Sequence, residues 1–99
     1  MNDFRLEICF IQKKGLALSD KVKKEMNMLF ALQAECFTDT KEKDNMEIVT
    51  TEIRGKGSWE NEEQIIAYIE EHLELEVLTS IYGYSIQVFP NKKGCLHCG

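Results

Sequence analysis

The residues best suited to chemistry lie near the end of the sequence, where Cys95, His97 and Cys98 stand close together. Two thiolates three positions apart can bind one metal ion, because a short turn brings both sulfur atoms to the roughly 2.3 Å distance that zinc prefers. Structural zinc takes four ligands, so this pair supplies half a site, with His97 as a candidate third ligand. The missing ligands could come from the same segment of a second copy on a two-fold axis. We therefore expect no cofactor, with zinc at Cys95 and Cys98 as the one candidate.

The same two cysteines also permit thiol–disulfide exchange. The segment is similar to the Cys-x-His-Cys of some thiol oxidoreductases, in which the first thiol lies at a helix N-terminus whose dipole lowers its pKa. Only Gly99 follows Cys98 in this sequence, so activation would have to come from Lys92, Lys93 or a protonated His97. A tail without a dedicated role is the third alternative, and spacing alone does not decide among the three.

A second candidate site is a basic, glycine-rich segment that precedes a predicted helix. Its residues are Arg54, Gly55, Lys56, Gly57 and Ser58. Free backbone amides at a helix start, two flexible glycines and two cations can bind an anion. The spacing is not that of a phosphate-binding P-loop, and Glu60, Glu62 and Glu63 would oppose an anion there. The alternative interpretation is a tight turn between a strand and a helix.

Composition bounds the class of protein. The chain has 99 residues, 43% hydrophobic and 29% charged, which is typical of one folded domain. We expect a single α+β domain over residues 1–90 and a short cysteine-containing tail over 91–99. The sequence lacks a run of about 18 apolar residues and a secretory signal, so we expect a cytoplasmic location without membrane insertion. The net charge of −5 argues against a nucleic-acid partner.

The first half of the sequence predicts a strand, a helix and a hairpin. Apolar residues alternate over 4–10, as in a half-buried strand. Ser19 or Asp20 could cap the helix that follows, whose apolar residues recur at three- and four-residue spacing. The pattern changes period near Leu32, and a polar segment over 38–45 suits a hairpin connection. A β-branched run over 46–54 then predicts the next strand, which we expect to end before Gly55.

The second half predicts one more helix and one more strand. Asn61 with Gln64 resembles a capping box, and apolar residues from Ile65 onward form a buried stripe. Residues 73–81 also alternate, so the helix could end early and a strand begin there. Tyr84, Ile86 and Val88 then alternate with polar residues in the last strand.

The resulting order is strand, helix, strand, strand, helix, strand. That order is typical of the ferredoxin-like βαββαβ two-layer sandwich, a four-stranded antiparallel sheet with two helices on one face. With Lys14-Gly15-Leu16 between the first strand and the first helix, residues 4–89 resemble ACT domains, which sense small molecules. The resemblance implies a ligand site at this turn, and only Gly15 and Leu16 are carried over to it.

The sequence does not indicate an enzyme. His72 lies among glutamates on a predicted helix, and an outer helix face does not offer the cleft that general acid–base catalysis needs. We therefore expect a non-enzymatic binding or regulatory module, a homodimer that uses its sheet edges or open sheet face, with itself or another protein as partner. The alternatives are a metal or thiol protein that uses Cys95 and Cys98, and a phage or mobile-element protein that binds a host partner.

Overall fold

The computed structural model describes residues 2–30 and 34–89, which form four strands and three helices. In chain order these are β1 (Asn2–Lys13), α1 (Leu18–Phe30), β2 (Ala34–Lys43), β3 (Met46–Gly57), α2 (Glu62–His72), α3 (Leu75–Leu78) and β4 (Ile81–Phe89). The strands form one antiparallel sheet in the order β2-β3-β1-β4. The prediction of an α+β fold with a four-stranded antiparallel sheet and helices packed on it is confirmed.

The core lies between the helices and the central strands β1 and β3. Alternate residues of β1 point into it and are buried: Phe4, Leu6, Ile8 and Phe10. Leu6 is the register partner of the buried Ile53, and Phe10 of the buried Val49. Val22 and Met26 of α1 cover this layer. Since each buried side chain of this size contributes about 1.5–3 kcal/mol, the shared core holds the helices to the sheet.

An aromatic cluster closes one end of this core. The Trp59 ring centroid lies 5.1 Å from that of Phe4 and 5.2 Å from that of Tyr68, and Phe30 completes the cluster. The Tyr68 hydroxyl donates to the Leu29 carbonyl at 2.8 Å, which ties α2 to α1. Trp59 thus packs against the core at this end.

The start of α1 differs from the prediction. The helix begins at Leu18, whose backbone N–H donates to Oε1 of Glu47 on β3 at 3.2 Å. The side chain of Ser19 instead shares a 2.9 Å hydrogen bond with the Thr40 hydroxyl on β2. The buried Glu47 carboxylate of β3 thus caps the helix in place of the expected local side chain. The sequence around Glu47 did not indicate this role.

The second helical region contains an element that the sequence did not predict. After α2, residues 75–78 form the short helix α3, so the expected count of two helices is wrong. The Glu25 carboxylate accepts from the Glu74 N–H at 2.9 Å, directly before α3, and thereby ties α1 to this turn. The capping role of Asn61 is confirmed, since its Oδ1 accepts from the Gln64 N–H at 3.0 Å.

The β2–β3 hairpin is tighter than predicted. The strands continue to Lys43 and from Met46, so the connection is only Asp44 and Asn45, both with positive φ. Asp and Asn tolerate this conformation, which matches the twist of a two-residue hairpin. The switch predicted near Leu32 lies outside the described residues. Within residues 2–30 and 34–89, no helix is long and apolar enough to cross a membrane.

Candidate binding surface on the open sheet face

One face of the sheet is not covered by the helices, and we call it the open face. It carries the residues of β1 and β3 that alternate with the core residues. Four of its side chains form one row across the sheet, because their Cα atoms are register partners: Gln87, Arg5, Arg54 and Glu35. Two like charges, Arg5 and Arg54, are therefore direct cross-strand neighbours, an arrangement that is destabilising without a counter-charge.

Glu52 supplies that counter-charge. Its Oε2 accepts from Nε of Arg5 at 2.9 Å and from Nε of Arg54 at 3.0 Å. The Nη2 atoms lie at 2.9 Å for Arg5 and 3.0 Å for Arg54 from the same oxygen. The hydrogen bond from Arg54, supported by the charges of both guanidiniums, holds the pKa of the Glu52 carboxyl below its usual range against the opposing effect of burial.

The two arginines border a shallow depression of about 430 Å³ at one end of the open face. It is lined by Asp3, Phe4, Arg5, Glu35, Arg54, Gly55, Lys56 and Phe89. Lys56 lies 3.9 Å from Asp3, a loose ion pair between two exposed side chains. Phe89 is 50% exposed and offers an apolar contact beside the charges. The depression thus combines three cations, two carboxylates and two aromatic residues, of which Phe89 is exposed and Phe4 is buried.

The structure separates the members of the predicted anion-binding turn. The expected strand end before Gly55 is wrong, since β3 continues to Gly57 and α2 starts only at Glu62. Arg54 and Lys56 belong to the strand, away from the first turn of α2. Asn61 caps that helix start, whose first turn is acidic, and anion binding by Arg54, Gly55, Lys56, Gly57 and Ser58 stays a prediction.

Glycine is required at position 57 by side-chain packing and not by backbone conformation. A Cβ atom at this position would lie 2.5 Å from Cε3 and Cζ3 of Trp59. Gly57 is buried, and the indole ring lies directly against its backbone. A glycine that the sequence suggested for ligand approach is therefore required by a neighbouring side chain.

Gly15 and Leu16 lie at the other end of β1. Gly15 has φ of +99°, which favours glycine, and Leu16 is 46% exposed. The neighbouring Lys14 N–H donates to the Asn45 carbonyl at 2.8 Å, so this turn adjoins the β2–β3 hairpin. From Arg5 to the end of β1 at Lys13 the strand rises over eight residues, roughly 26 Å. The two predicted ligand regions are thus distinct, and ligand binding at Gly15 and Leu16 stays a prediction.

The predicted metal ligands Cys95, His97 and Cys98 lie outside the described residues, so zinc binding or thiol exchange there stays a prediction. Within residues 2–30 and 34–89, no group of three or more His, Cys, Asp or Glu side chains could hold a metal ion. Cys9 and Cys36 are free thiols and half-buried, and burial raises the pKa of the Cys36 thiol.

Arg5, Glu52 and Phe89 are the surface residues that sequence reasoning missed. A signal was present, because Arg5 occupies an outward position of the alternating first strand and the chain contains only one other arginine, Arg54. The register that makes the two neighbours is a tertiary property, which alternation within one strand does not specify.

Comparison of the chain with protein-family models, with curated proteins and with solved structures finds no match. Within the described residues, the chain is an α+β domain whose antiparallel sheet carries helices on one face and a pair of neighbouring arginines on the other.

Proposed function

We propose that the protein is a non-enzymatic binding module that acts as a homodimer through its sheet and binds a carboxylate of a partner protein at Arg5 and Arg54. One observation carries the binding site. The chain has ten lysines but only two arginines, and the two arginines are side by side on the open face. Lysine is sufficient for solvation, whereas the planar guanidinium is suited to bidentate binding of carboxylate or phosphate.

The geometry leaves donors for a ligand. Each guanidinium uses Nε and Nη2 toward one oxygen of Glu52 and has further N–H donors beyond these. Both side chains are about half exposed, at 51% for Arg5 and 56% for Arg54. Glu52 thus orders the two guanidiniums side by side without burying them, which lowers the entropy cost of binding.

Charge favours a protein carboxylate over a polyanion. The net charge of −5 repels nucleic acid, and Asp3 and Glu35 at the rim of the depression oppose a chain of phosphates. A single carboxylate beside an apolar group can contact the arginines and Phe89, and it meets less opposition from Asp3 and Glu35 than a chain of phosphates would. The interaction would be weak for an isolated anion and would weaken further with salt.

The finer assignments of fold and setting belong to the same proposal. The order β2-β3-β1-β4 supports a ferredoxin-like arrangement with α3 as an added helical turn. The positive φ of Gly15 supports a sharp ACT-like turn before α1. Zinc or thiol chemistry at Cys95 and Cys98 is a further hypothesis, and the sequence arguments favour a cytoplasmic setting.

Nuclear magnetic resonance of the arginine side chains tests the binding site directly, because the chain gives only two Nε resonances. We expect titration with sodium acetate to shift both resonances saturably, and sodium chloride at equal ionic strength to leave them nearly unchanged. Arg54→Gln should abolish the saturable shift at Arg5, whereas Lys41→Gln, a matched loss of charge on β2, should not. Equal shifts in acetate and chloride would show general screening and would refute the site.

A further inference from the structure

The two edges of the sheet differ in their protection against pairing with another strand. β2 carries five charged side chains: Glu35, Asp39, Lys41, Glu42 and Lys43. Charges, and lysines in particular, keep an exposed strand edge from pairing. β4 is the opposite edge, and its nine residues, Ile81–Phe89, include no charged side chain. Among the four described strands it is the only one without a charge.

The apolar side chains of β4 are also incompletely covered. The apolar side chains of β1 and β3 that face the helices, such as Leu6 and Ile53, are almost fully buried, whereas Ile81, Ile86 and Val88 of β4 are only half-buried. Tyr84, on the same side, is 46% exposed. A small apolar groove of about 30 Å³ lies beside this strand, between it and the helices α2 and α3. Its lining consists of Ile8, Ile66, Ile69, Glu70, Leu78, Ile81 and Tyr84.

We infer that β4 is the contact edge of the homodimer, and that its occupant is β4 of a second copy of this chain. The absence of charged side chains on β4 favours this occupant. The chain carries −5 overall, so most of its surface repels a second copy, and β4 is the described strand whose own side chains bring no like charges to such a contact. The nearest acids, Glu62 at Val88 and Glu70 beside the groove, belong to α2. A two-fold pairing of identical edges closes on itself and leaves no further free copy of this edge.

The directions of the backbone hydrogen-bonding groups show which residues of β4 face the free edge. The Val88 N–H donates to Oε2 of Glu62 at 3.2 Å, so it points away from β1 toward the free edge. Because bonding direction alternates along an antiparallel strand, the backbone groups of Ile86 and Tyr84 face the same edge. The β1–β4 register shifts between Gly83 and Ile81, and the Val88 N–H already has the Glu62 carboxylate as its acceptor. Among the described residues, the regular part of the edge that Glu62 leaves free is thus centred on Ser85.

In the register that we infer, the outward-facing backbone groups of Tyr84 bond to those of the partner's Ile86. Ser85 then lies on the two-fold axis. Tyr84 would then lie over the partner's Ile86 beside the apolar groove, so the side chains that the helices leave uncovered become buried. Ser85 lies on the open face, opposite Glu7 of β1. The pairing would join the two sheets into one, with both sets of helices on the same side.

This contact rests on the homodimer in the proposed function and is independent of the arginine site. Sedimentation from low to high micromolar protein should show a monomer–dimer equilibrium. Tyr84→Lys places two cations near the axis, and we expect the dissociation constant to rise about tenfold or more. Thr40→Lys adds the same charge to the β2 edge and should leave the dissociation constant unchanged. Circular dichroism checks that both variants fold.

A disulfide tests the register separately from stability. Cross-strand residues in a non-hydrogen-bonded antiparallel pair are close enough for a disulfide, so Ser85→Cys should give a covalent dimer under mild oxidation. Peptide mapping by mass spectrometry should find the bond between residue 85 of both copies. Asp39→Cys, on the open face of β2, is the matched control and should not form such a bond.

The outcomes distinguish the two proposals. A strict monomer at every concentration would overturn the dimer and the β4 contact together. A dimer that is indifferent to Tyr84→Lys, or one that forms the disulfide through residue 39 but not 85, would overturn the β4 contact and leave the dimer standing. Neither result bears on acetate binding at the arginines.

Discussion

The substitution Gly57→Ala adds one methyl group and tests whether packing against a neighbouring side chain is the reason for glycine at this position. Gly57→Ala would place a Cβ atom 2.5 Å from two ring carbons of Trp59. The indole cannot move away freely, because its ring packs on Phe4 and Tyr68. Overpacking of this kind costs about 1–3 kcal/mol, so we expect a loss of about 2 kcal/mol in the free energy of unfolding. In a domain of this size the melting temperature should fall by roughly 10 °C.

Urea unfolding followed by circular dichroism measures this loss, and Gly83→Ala is the matched control. Both glycines lie in strands, but a Cβ atom at Gly83 would meet no heavy atom within 4 Å. Alanine there reduces the entropy of the unfolded chain, so stability should stay level or rise by about 0.5–1 kcal/mol. The comparison removes the general effect of replacing a strand glycine.

A double-mutant cycle with Trp59→Ala identifies the cause. Removing the indole is itself expected to cost about 3 kcal/mol, but it leaves space for a methyl group at residue 57. Gly57→Ala should therefore cost almost nothing in the Trp59→Ala background, which corresponds to a coupling energy of about 2 kcal/mol. An equal loss in both backgrounds would refute the steric explanation and would return Gly57 to a role in backbone conformation.

Three further predictions concern single residues. Ala17 has φ of +56°, so Ala17→Gly should raise the free energy of unfolding by about 0.5–1 kcal/mol in denaturant titration. Glu47→Ala removes the acceptor for the Leu18 N–H and should lower the free energy of unfolding by about 1–2 kcal/mol, with loss of helical circular dichroism on mild heating. The lowered pKa of Glu52 contributes stability above its unfolded value, close to 4.5, which is lost as pH falls through the folded pKa. Melting temperature against pH should therefore be flatter in this acidic range for Glu52→Gln than for the wild type.

Periodicity was sufficient for the central elements and failed where contacts between elements decide the structure. The alternation of β1 and the spacing in α1 follow from burial of one face, so the sequence predicts them well. The end of β3 could not be predicted, because Gly55 and Gly57 are usual strand breakers. Gly57 remains in the strand since Trp59 packs against it, a contact that local propensity does not include.

The candidate surface was predicted only in part for the same reason. Arg54 and Lys56 were selected from the sequence, but as members of a loop at a helix start. Their actual relation to Arg5 and Glu52 depends on the β1–β3 register, which pairs residues 49 positions apart in the chain, Arg5 with Arg54. The cap at α1 is similar, because Glu47 reaches Leu18 across 29 positions.

The arginine site and the β4 edge have a joint consequence if both act. A two-fold axis perpendicular to a continuous sheet keeps both open faces on one side, so the two arginine pairs would face the same partner. A partner with two suitably spaced carboxylates could then bind both sites, and the second contact would form at high effective concentration. Tyr84→Lys should therefore weaken binding of such a bivalent peptide while leaving acetate binding unchanged. Equal affinity of the wild type and this variant for the bivalent peptide would show that the two surfaces act separately.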